Sequence, residues 1–424
     1  MFRKFLTVSL VALLAVGMLA AFSGAQQQKS VSIAVVWSGN ELAAFQKTIA
    51  QFEKQNPGIK VNIESVGRNL PAVLVSRFEA GNPPDLAAMP NPGQMKEFVL
   101  KGGLVPLDNI IDKTAQPQAF LDLATVNGKL YGIFISADLK SLVWYDPKAF
   151  TAKGYQVPTT WDELIALSDQ IVKDGGTPWC IGLESGAASG WPGTDWIEDL
   201  MLRISGPQIY DLWVDHQISW TNPAVKAAWE GFGQIARNPK YVYGGMVGEL
   251  TTNFGDAPNP LFTDPPGCYM HRQATFIESF IKKANPGLVA GKDFDVFLLP
   301  PIGPGLPTPM EGAGDLISVF NDTPESEALV KYLSSAEAQE IWAGTLGKIA
   351  INKNVNPGIY KDPITKKAAQ FLSSAQIFRF DGSDLMPAAV GSGTFWKGIM
   401  DYVSGTDLDT VLQDIEKSAE QAYK

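Results

Sequence analysis

Between Val31 and Ile63 the hydrophobic period of the chain switches from two residues to about 3.6 and back again. Val31-Ser32-Ile33-Ala34-Val35 alternates as a strand does. After the turn Trp37-Ser38-Gly39-Asn40, the apolar residues Leu42, Phe45, Ile49 and Phe52 recur at helical spacing, and Asn56-Pro57-Gly58 stops the helix. Ile59-Lys60-Val61-Asn62-Ile63 then alternates again. Strand, helix and strand in this order predict a βαβ unit with parallel strands, whose ligand-binding loops lie at the strands' carboxyl ends. Ser38 to Glu41 lies at one such end. The apolar run Leu86 to Met89, entered through Pro83-Pro84-Asp85, presents Asn91-Pro92-Gly93 at another.

The alternation continues. Thr160-Trp161-Asp162-Glu163 has the form of a capping box and opens a helix through Leu164, Leu167 and Ile171. Asn222-Pro223 opens another, with proline at its first position. The strand Asp293 to Leu299 empties into Pro300-Pro301-Ile302-Gly303-Pro304-Gly305, which continues neither strand nor helix. Helical spacing returns after Thr323-Pro324 and after Ser334. From Trp179 to Trp229 the chain is rich in tryptophan. No internal repeat is present, and the pattern predicts an α/β protein.

Arg3-Lys4, the uncharged apolar run Phe5 to Phe22 and Ser23-Gly24-Ala25 together describe a secretory signal over residues 1–25. Its removal leaves 424 − 25 = 399 residues, enough for two domains. No cysteine follows the cleavage site, so no lipid anchor is expected, and the mature chain is expected to be soluble and periplasmic or extracellular. The net charge of −10 becomes −12 without Arg3 and Lys4, which argues against nucleic acid or an anionic membrane as partner. Cys180 and Cys268 make an even pair in an oxidising compartment, and a disulfide is expected rather than two buried thiols. With those two bridged, His216 and His271 alone do not make a metal site. No cofactor is expected.

A series of motifs carries a resemblance. They are Trp37-Ser38-Gly39-Asn40-Glu41 before a helix ending in Phe52-Glu53-Lys54, Pro84-Asp85-Leu86, Gly102-Gly103-Leu104-Val105-Pro106-Leu107 and Asn127-Gly128-Lys129-Leu130-Tyr131-Gly132. Val143-Trp144-Tyr145-Asp146, Pro158-Thr159-Thr160-Trp161-Asp162-Glu163-Leu164, and Met386-Pro387 before Phe395-Trp396 complete it. In number, order and spacing the chain resembles the extracellular solute-binding proteins of carbohydrate ABC importers, the maltose-binding-protein-like family 1. Trp179-Cys180-Ile181-Gly182, Trp191-Pro192-Gly193-Thr194-Asp195-Trp196 and Gly267 to Gln273 are similar to its α-glucoside-binding branch. The resemblance implies a two-lobed periplasmic-binding-protein fold, each lobe a mixed or parallel sheet flanked by helices. It implies hinge crossings near residues 135–140, 301–310 and 347–351. One lobe is then 26–137 with 311–347, the other 138–310 with 348–424. It further implies a monomer that captures a mono- or disaccharide in the interdomain cleft and hands it to the importer's membrane subunits, with no enzymatic turnover.

Sugars offer ring faces to aromatic side chains and hydroxyls to paired donors and acceptors. Trp191 is expected at the cleft, in a turn between Gly190 and Pro192-Gly193 that excludes regular structure, with Asp195 accepting hydroxyls and Trp196 in the core. Trp396 matches a sugar-stacking position of the family, although a Phe-Trp pair also opens helices as core. Glu41 and Asn91 belong to loops where the family contacts ligand; a helix-dipole charge and a turn former are the competing roles. Asp138 and Lys140 flank a crossing, as ligand contacts or as a hinge salt bridge. Arg272 offers a planar donor fork. Gly314 permits close backbone approach beside the acceptor Asp315. Arg379 reaches the cleft or pairs with Asp381. Two other classes stay open. An exported glycoside hydrolase would use Asp195 with Glu198 or Asp199, although a solvated helix face also accounts for those two. The other is a binder of a non-sugar solute such as a polyol phosphate or a peptide; Arg272 and Arg379 converging in the cleft would indicate an anionic ligand, whereas facing Trp191 and Trp396 indicate a neutral sugar.

Overall fold

The computed structural model describes residues 28–346 and 348–424. The expected signal lies outside them, as does residue 347 at the third expected crossing. The strands are β1 (Lys29–Val35), β2 (Ile59–Ser65), β3 (Leu86–Met89), β4 (Thr125–Val126), β5 (Lys129–Leu130), β6 (Ile133–Phe134), β7 (Asp138–Leu139), β8 (Leu142–Tyr145), β9 (Met270–Arg272), β10 (Asp295–Leu298), β11 (Met310–Ala313), β12 (Leu316–Val319) and β13 (Phe378–Phe380).

The first lobe is built on the sheet β2-β1-β3-β12-β6. β1 runs parallel to both β2 and β3, with Val31 opposite Val61 and Ile33 opposite Leu86. The intervening helix, Gly39–Gln55, buries Ala44, Phe45, Ile49 and Phe52, as its periodicity requires. β12 closes the sheet antiparallel to β3 and β6. The second lobe holds the antiparallel sheet β10-β8-β9. Its core is made largely by the tryptophan-rich stretch: Trp179, Trp196, Trp213, Trp220 and Trp229 are all buried there. Trp179 meets Trp196, and Trp213 meets Trp220, each edge-on at 5.1 Å between centroids. Packing at the helix starts follows the sequence closely. Thr160 caps the helix Trp161–Lys173, while Glu163 reaches back one residue further than a capping box does, to the amide and hydroxyl of Thr159 at 2.7 Å each.

Between the two lobes lies a third sheet, β13-β11-β7. β7 follows β6 directly and β11 precedes β12 directly, so the chain leaves the first sheet for the middle one at residues 135–137 and returns at Gly314-Asp315. The proline-glycine stretch near 301–310 lies before this return, because β11 first pairs with β7 and β13. A side chain at Gly314 would meet the Ser136 carbonyl at 2.5 Å, so the passage demands glycine. Ile349 pairs with Ala137 through Ala137 N to Ile349 O (2.7 Å) and the reciprocal bond (3.2 Å).

Cys180 and Cys268 form a disulfide with 5.6 Å between Cα atoms, tying the entry of the tryptophan-rich segment to β9. Its loop spans 88 residues, so replacing both cysteines by serine lowers unfolding free energy by roughly 2–5 kcal/mol. Denaturant melts of the oxidised protein and the double variant measure this, and coincident melts would contradict it. Next to the bridge, His271 Nδ1 lies 2.9 Å from the Cys180 carbonyl, and burial pushes its imidazole down to about 4, helped by Arg272. A base whose folded pKa is depressed contributes stability that is present above its unfolded value and lost as pH falls. Between about pH 6.5 and 4 the unfolded chain takes up a proton that the folded chain refuses, a loss on the order of 3 kcal/mol by pH 4. His271→Gln is expected to flatten the stability profile in that window. A profile with the slope unchanged would exclude it.

Candidate ligand-binding cavity between the lobes

Glu41, Asn91, Asp138, Lys140, Trp191, Asp195, Gly314, Asp315 and Trp396 all line one cavity, together with Trp37, Arg68, Phe276, Lys348, Asp381, Ser383 and Asp384. Both lobes and the middle sheet contribute to it. Two charged groups form its walls.

On the crossing side, the Lys348 ammonium lies 2.9 Å from Asp138 Oδ2, 3.3 Å from Glu41 Oε1 and 3.7 Å from Asp315 Oδ2. Asp138 also accepts from Thr275 Oγ1 at 2.7 Å, and Asp315 from Trp37 Nε1 at 2.7 Å. Burial pushes the Glu41 carboxyl above its ordinary range, opposed by Lys348 and Arg68. Burial works against the Lys348 charge, yet its three carboxylates hold its pKa above the ordinary value.

On the second-lobe side, Lys140 donates to Asp195 Oδ1 at 2.8 Å and to Asp381 Oδ2. Asp138 and Lys140 thus pair with other residues rather than with each other. Behind them Arg272 Nη2 binds Asp199 Oδ2 and Glu311 Oε2, both at 2.6 Å, and Arg203 Nη1 binds Asp199 Oδ1 at 2.5 Å. Six acids (Asp195, Glu198, Asp199, Glu311, Asp381, Asp384) face three bases in this buried group. Burial pushes the carboxyls of Glu198, Glu311 and Asp384 above the ordinary carboxylate range. Burial also lifts Asp195 to about 6, against Lys140 and Arg272. Close pairing of Asp195, Asp199, Glu311 and Asp381 with Lys140, Arg203 and Arg272 is how so much charge is tolerated without water. Oxygens of Asp195, Glu311 and Asp381 lie within 4.8 Å of one another, a spacing that suits a cation. Lys140 and Arg272 already supply that positive charge.

Four sequence expectations need correction. Arg272 is not a lining residue of the cavity: its donors are spent on Asp199 and Glu311, and it lies 3.4 Å behind Asp195. Arg379 is turned away onto Asp211, through Nε–Oδ1 at 2.6 Å and Nη2–Oδ2 at 2.7 Å. Glu198 and Asp199 are not on a solvated face. They are fully buried, Glu198 accepting the Gly382 and Ser383 amides and Asp199 held by arginine. Trp191 does not sit in an irregular turn but is the first residue of the helix Trp191–Ile204. Gly190, at φ 107°, makes the sharp entry, and Pro192 fits the first helical turn, where no amide partner is lost.

The Trp191 ring packs edge-on against Phe254 at 5.1 Å and obliquely on Phe276 at 5.9 Å, with the Lys140 ammonium 5.7 Å from its centroid. Asn91, from the first lobe, donates to Asp384 Oδ1 of the segment after β13, and the Ala388 amide donates to Glu97 Oε1 at 2.8 Å, so these segments touch beside the cavity. On the lining side chains, Asn91 Oδ1, Trp191 Nε1, Asp195 Oδ2 and Trp396 Nε1 are buried without a hydrogen-bond partner among the described residues. Sequence reasoning missed Asp381, Ser383 and Asp384, although they follow strand β13 at its carboxyl end and the logic that found Glu41 and Asn91 applies to them. It also missed Lys348 and Arg68, for which no local signal exists.

The model of the bacterial extracellular solute-binding protein family matches residues 37–340. The chain is 45% identical over 401 residues to the osmoprotective compounds-binding protein GgtB of Synechocystis sp., covering 93% of this chain and 94% of that one. It is 41% identical over 394 residues to the alpha-glucosides-binding periplasmic protein AglE of Rhizobium meliloti, covering 90% and 85%. Among solved structures, the bacterial solute receptor AcbH superposes with a TM-score of 0.80 at 22% identity, covering 94% of this chain and all of that one. Maltose-bound MalE3 of T. maritima gives 0.71 at 20% identity, covering 92% and 99%; both likenesses concern the fold. With a two-lobed fold, a cavity at the lobe crossing and full-length relatives of this kind, the chain belongs to the bacterial extracellular solute-binding protein family.

Proposed function

We propose that this protein is the extracytoplasmic substrate-binding component of a sugar ABC importer. It captures a mono- or disaccharide, an α-glucoside on the likeness to AglE, and delivers it to the membrane subunits. In this reading residues 1–25 are removed on export, and the mature chain works as a soluble monomer. Residues 26–137 with 311–347 form one lobe, and 138–310 with 348–424 the other. Glu41, Asn91, Asp138, Lys140, Trp191, Asp195, Gly314, Asp315 and Trp396 are its ligand-facing residues.

One observation carries the reading: buried polar atoms without a hydrogen-bond partner, on Asn91, Trp191 and Trp396 and on Asp195, whose Oδ2 has only the 3.4 Å ion contact to Arg272, share a cavity wall with aromatic rings. Each such atom costs about 1–3 kcal/mol when left unpaired, and a polyhydroxyl ring pairs donors and acceptors alike while stacking on indole. Electrostatics supports a neutral ligand. The lining carries six acids (Glu41, Asp138, Asp195, Asp315, Asp381, Asp384) against Arg68, Lys140 and Lys348. Arg272 and Arg379, which an anionic ligand would need, are committed elsewhere. A hydrolase would need a free acid and a free base astride the bond, whereas Asp195 and Asp381 are tied to one ammonium and Glu198 to backbone amides.

The expected result is one-to-one calorimetric binding of an α-linked glucoside with no product after long incubation. Release of reducing sugar at an enzymatic rate would overturn the binding assignment. Trp191→Ala should weaken binding by about 1–3 kcal/mol, roughly five- to 150-fold. It should also lower the melting temperature, because the ring packs against Phe254 and Phe276. An unchanged affinity in the folded variant would remove Trp191 from the site.

A further inference from the structure

The chain reaches Trp396 through an irregular turn. Residues Val390–Phe395 wind as a π-helix, in which the Thr394 amide donates to the Ala389 carbonyl five residues back at 3.0 Å, and the α-helix Trp396–Val403 continues from it. Such wide turns are rare and concentrate at functional sites. Burial shows what this one does. Val390 and Phe395, five residues apart, are both fully buried in the second-lobe core, where Phe395 meets Trp220 at 4.8 Å, Trp213 at 5.7 Å and Trp229 at 5.8 Å. An α-helix would instead bring Thr394, which is half-buried, onto the face of Val390 and carry Phe395 about 100° past it. Trp396 would turn with it, and its indole would leave the cavity it lines.

Two close backbone approaches hold the turn. Gly391 lies against the Ser383 carbonyl, which a Cβ at 391 would strike. Ser383 has no room to yield: its amide donates to Glu198 Oε1 at 3.2 Å, its hydroxyl to Asp381 Oδ1 at 2.8 Å, and the preceding Gly382 amide to Glu198 Oε2 at 2.6 Å. At the other end the Trp396 carbonyl is pressed on Gly190, which precedes the helix Trp191–Ile204. The turn therefore joins the Asp381–Asp384 loop to the start of the Trp191 helix. Trp396 Nε1 is left buried with no hydrogen-bond partner among the described residues.

We propose that Gly391 is a positioning residue for ligand binding: by letting the π-helical turn close on Ser383, it holds the Trp396 indole in the cavity wall. This rests on the reading of the cavity as a sugar site. A methyl group at 391 forces the turn off Ser383 or rewinds it toward the α-helix that alanine favours, and either change moves Trp396. Gly391 does not itself line the cavity, so its effect on affinity passes through Trp396.

The test is a double-mutant cycle by calorimetry on the full mature chain, with methyl α-D-glucopyranoside, maltose and trehalose as probes and melting temperatures measured alongside. Trp396→Ala and Gly391→Ala each weaken the tightest-bound probe by about tenfold, and adding Gly391→Ala to Trp396→Ala weakens it by less than about threefold further. A purely structural role would lower the melting temperature and weaken binding equally in both backgrounds. Should Gly391→Ala not fold, Gly393→Ala perturbs the same turn more gently, its added carbon coming 3.2 Å from the Ala388 carbonyl. That variant is expected to weaken binding by about threefold alone and not at all in the Trp396→Ala background. Equal losses in both backgrounds, or a Gly391→Ala protein that binds as the wild type does, overturn the positioning role. Wild-type affinity in Trp396→Ala overturns it as well and leaves the sugar reading standing. Failure of the wild type to bind any of the three probes counts against the sugar reading itself, and the inference falls with it.

Discussion

One buried ammonium holds three remote stretches of this chain together. Lys140 stands just past β7, Asp195 on the helix Trp191–Ile204 and Asp381 just past β13, and the ion pairs join all three with little exposure to solvent. The arrangement constrains more than it stabilises, because the desolvation cost of such charges offsets most of their attraction. Removing one partner would leave the others buried and unpaired. What it secures is geometry: the start of the Trp191 helix, the middle sheet and the Asp381–Asp384 loop are fixed relative to one another, and these are the second-lobe walls of the cavity. Arg272 and Arg203 repeat the device one layer deeper, where they neutralise Asp199 and Glu311.

Much of the fold was legible in local sequence, because local period decides it. The switch of period between Val31 and Ile63 gave the βαβ unit with its parallel register, and the stop signals gave helix ends to within a few residues. Loop position at strand ends led to Glu41 and Asn91. The residues that misled did so for one physical reason. Whether an arginine is free depends on which carboxylates the fold brings to it, and those are remote in sequence: Arg379 meets Asp211 across 168 residues, and Arg272 meets Glu311 across 39 and Asp199 across 73. Glu198 and Asp199 looked solvated on a helical wheel because polar faces are usually wet. Here that face packs on β11 and on the Asp381 segment. Trp191 shows a different limit: Gly-Trp-Pro-Gly reads as a turn, and only the left-handed entry at Gly190 reveals a helix start.

The same electrostatic layout bears on the proposal of capture without chemistry. Catalytic carboxylates need unequal freedom, one poised to donate a proton and one to attack or activate water. In this cavity Asp195 and Asp381 share Lys140, and Glu41, Asp138 and Asp315 share Lys348. Fixed ion pairs of this kind suit recognition of neutral hydroxyls. The rings of Trp191 and Phe276 from one lobe face Arg68 from the other, 5.8 and 5.4 Å from its guanidinium.

The central claim is that sugar hydroxyls complete hydrogen bonds the protein leaves unmade at the lobe crossing. A crystal structure of the protein with an α-glucoside tests it most directly. The account predicts ligand oxygens within hydrogen-bond distance of Asn91 Oδ1, Trp191 Nε1, Asp195 Oδ2 or Trp396 Nε1, with a ring face against Trp191 or Trp396. A well-ordered sugar bound elsewhere, with all four of those atoms still unpaired, would contradict it.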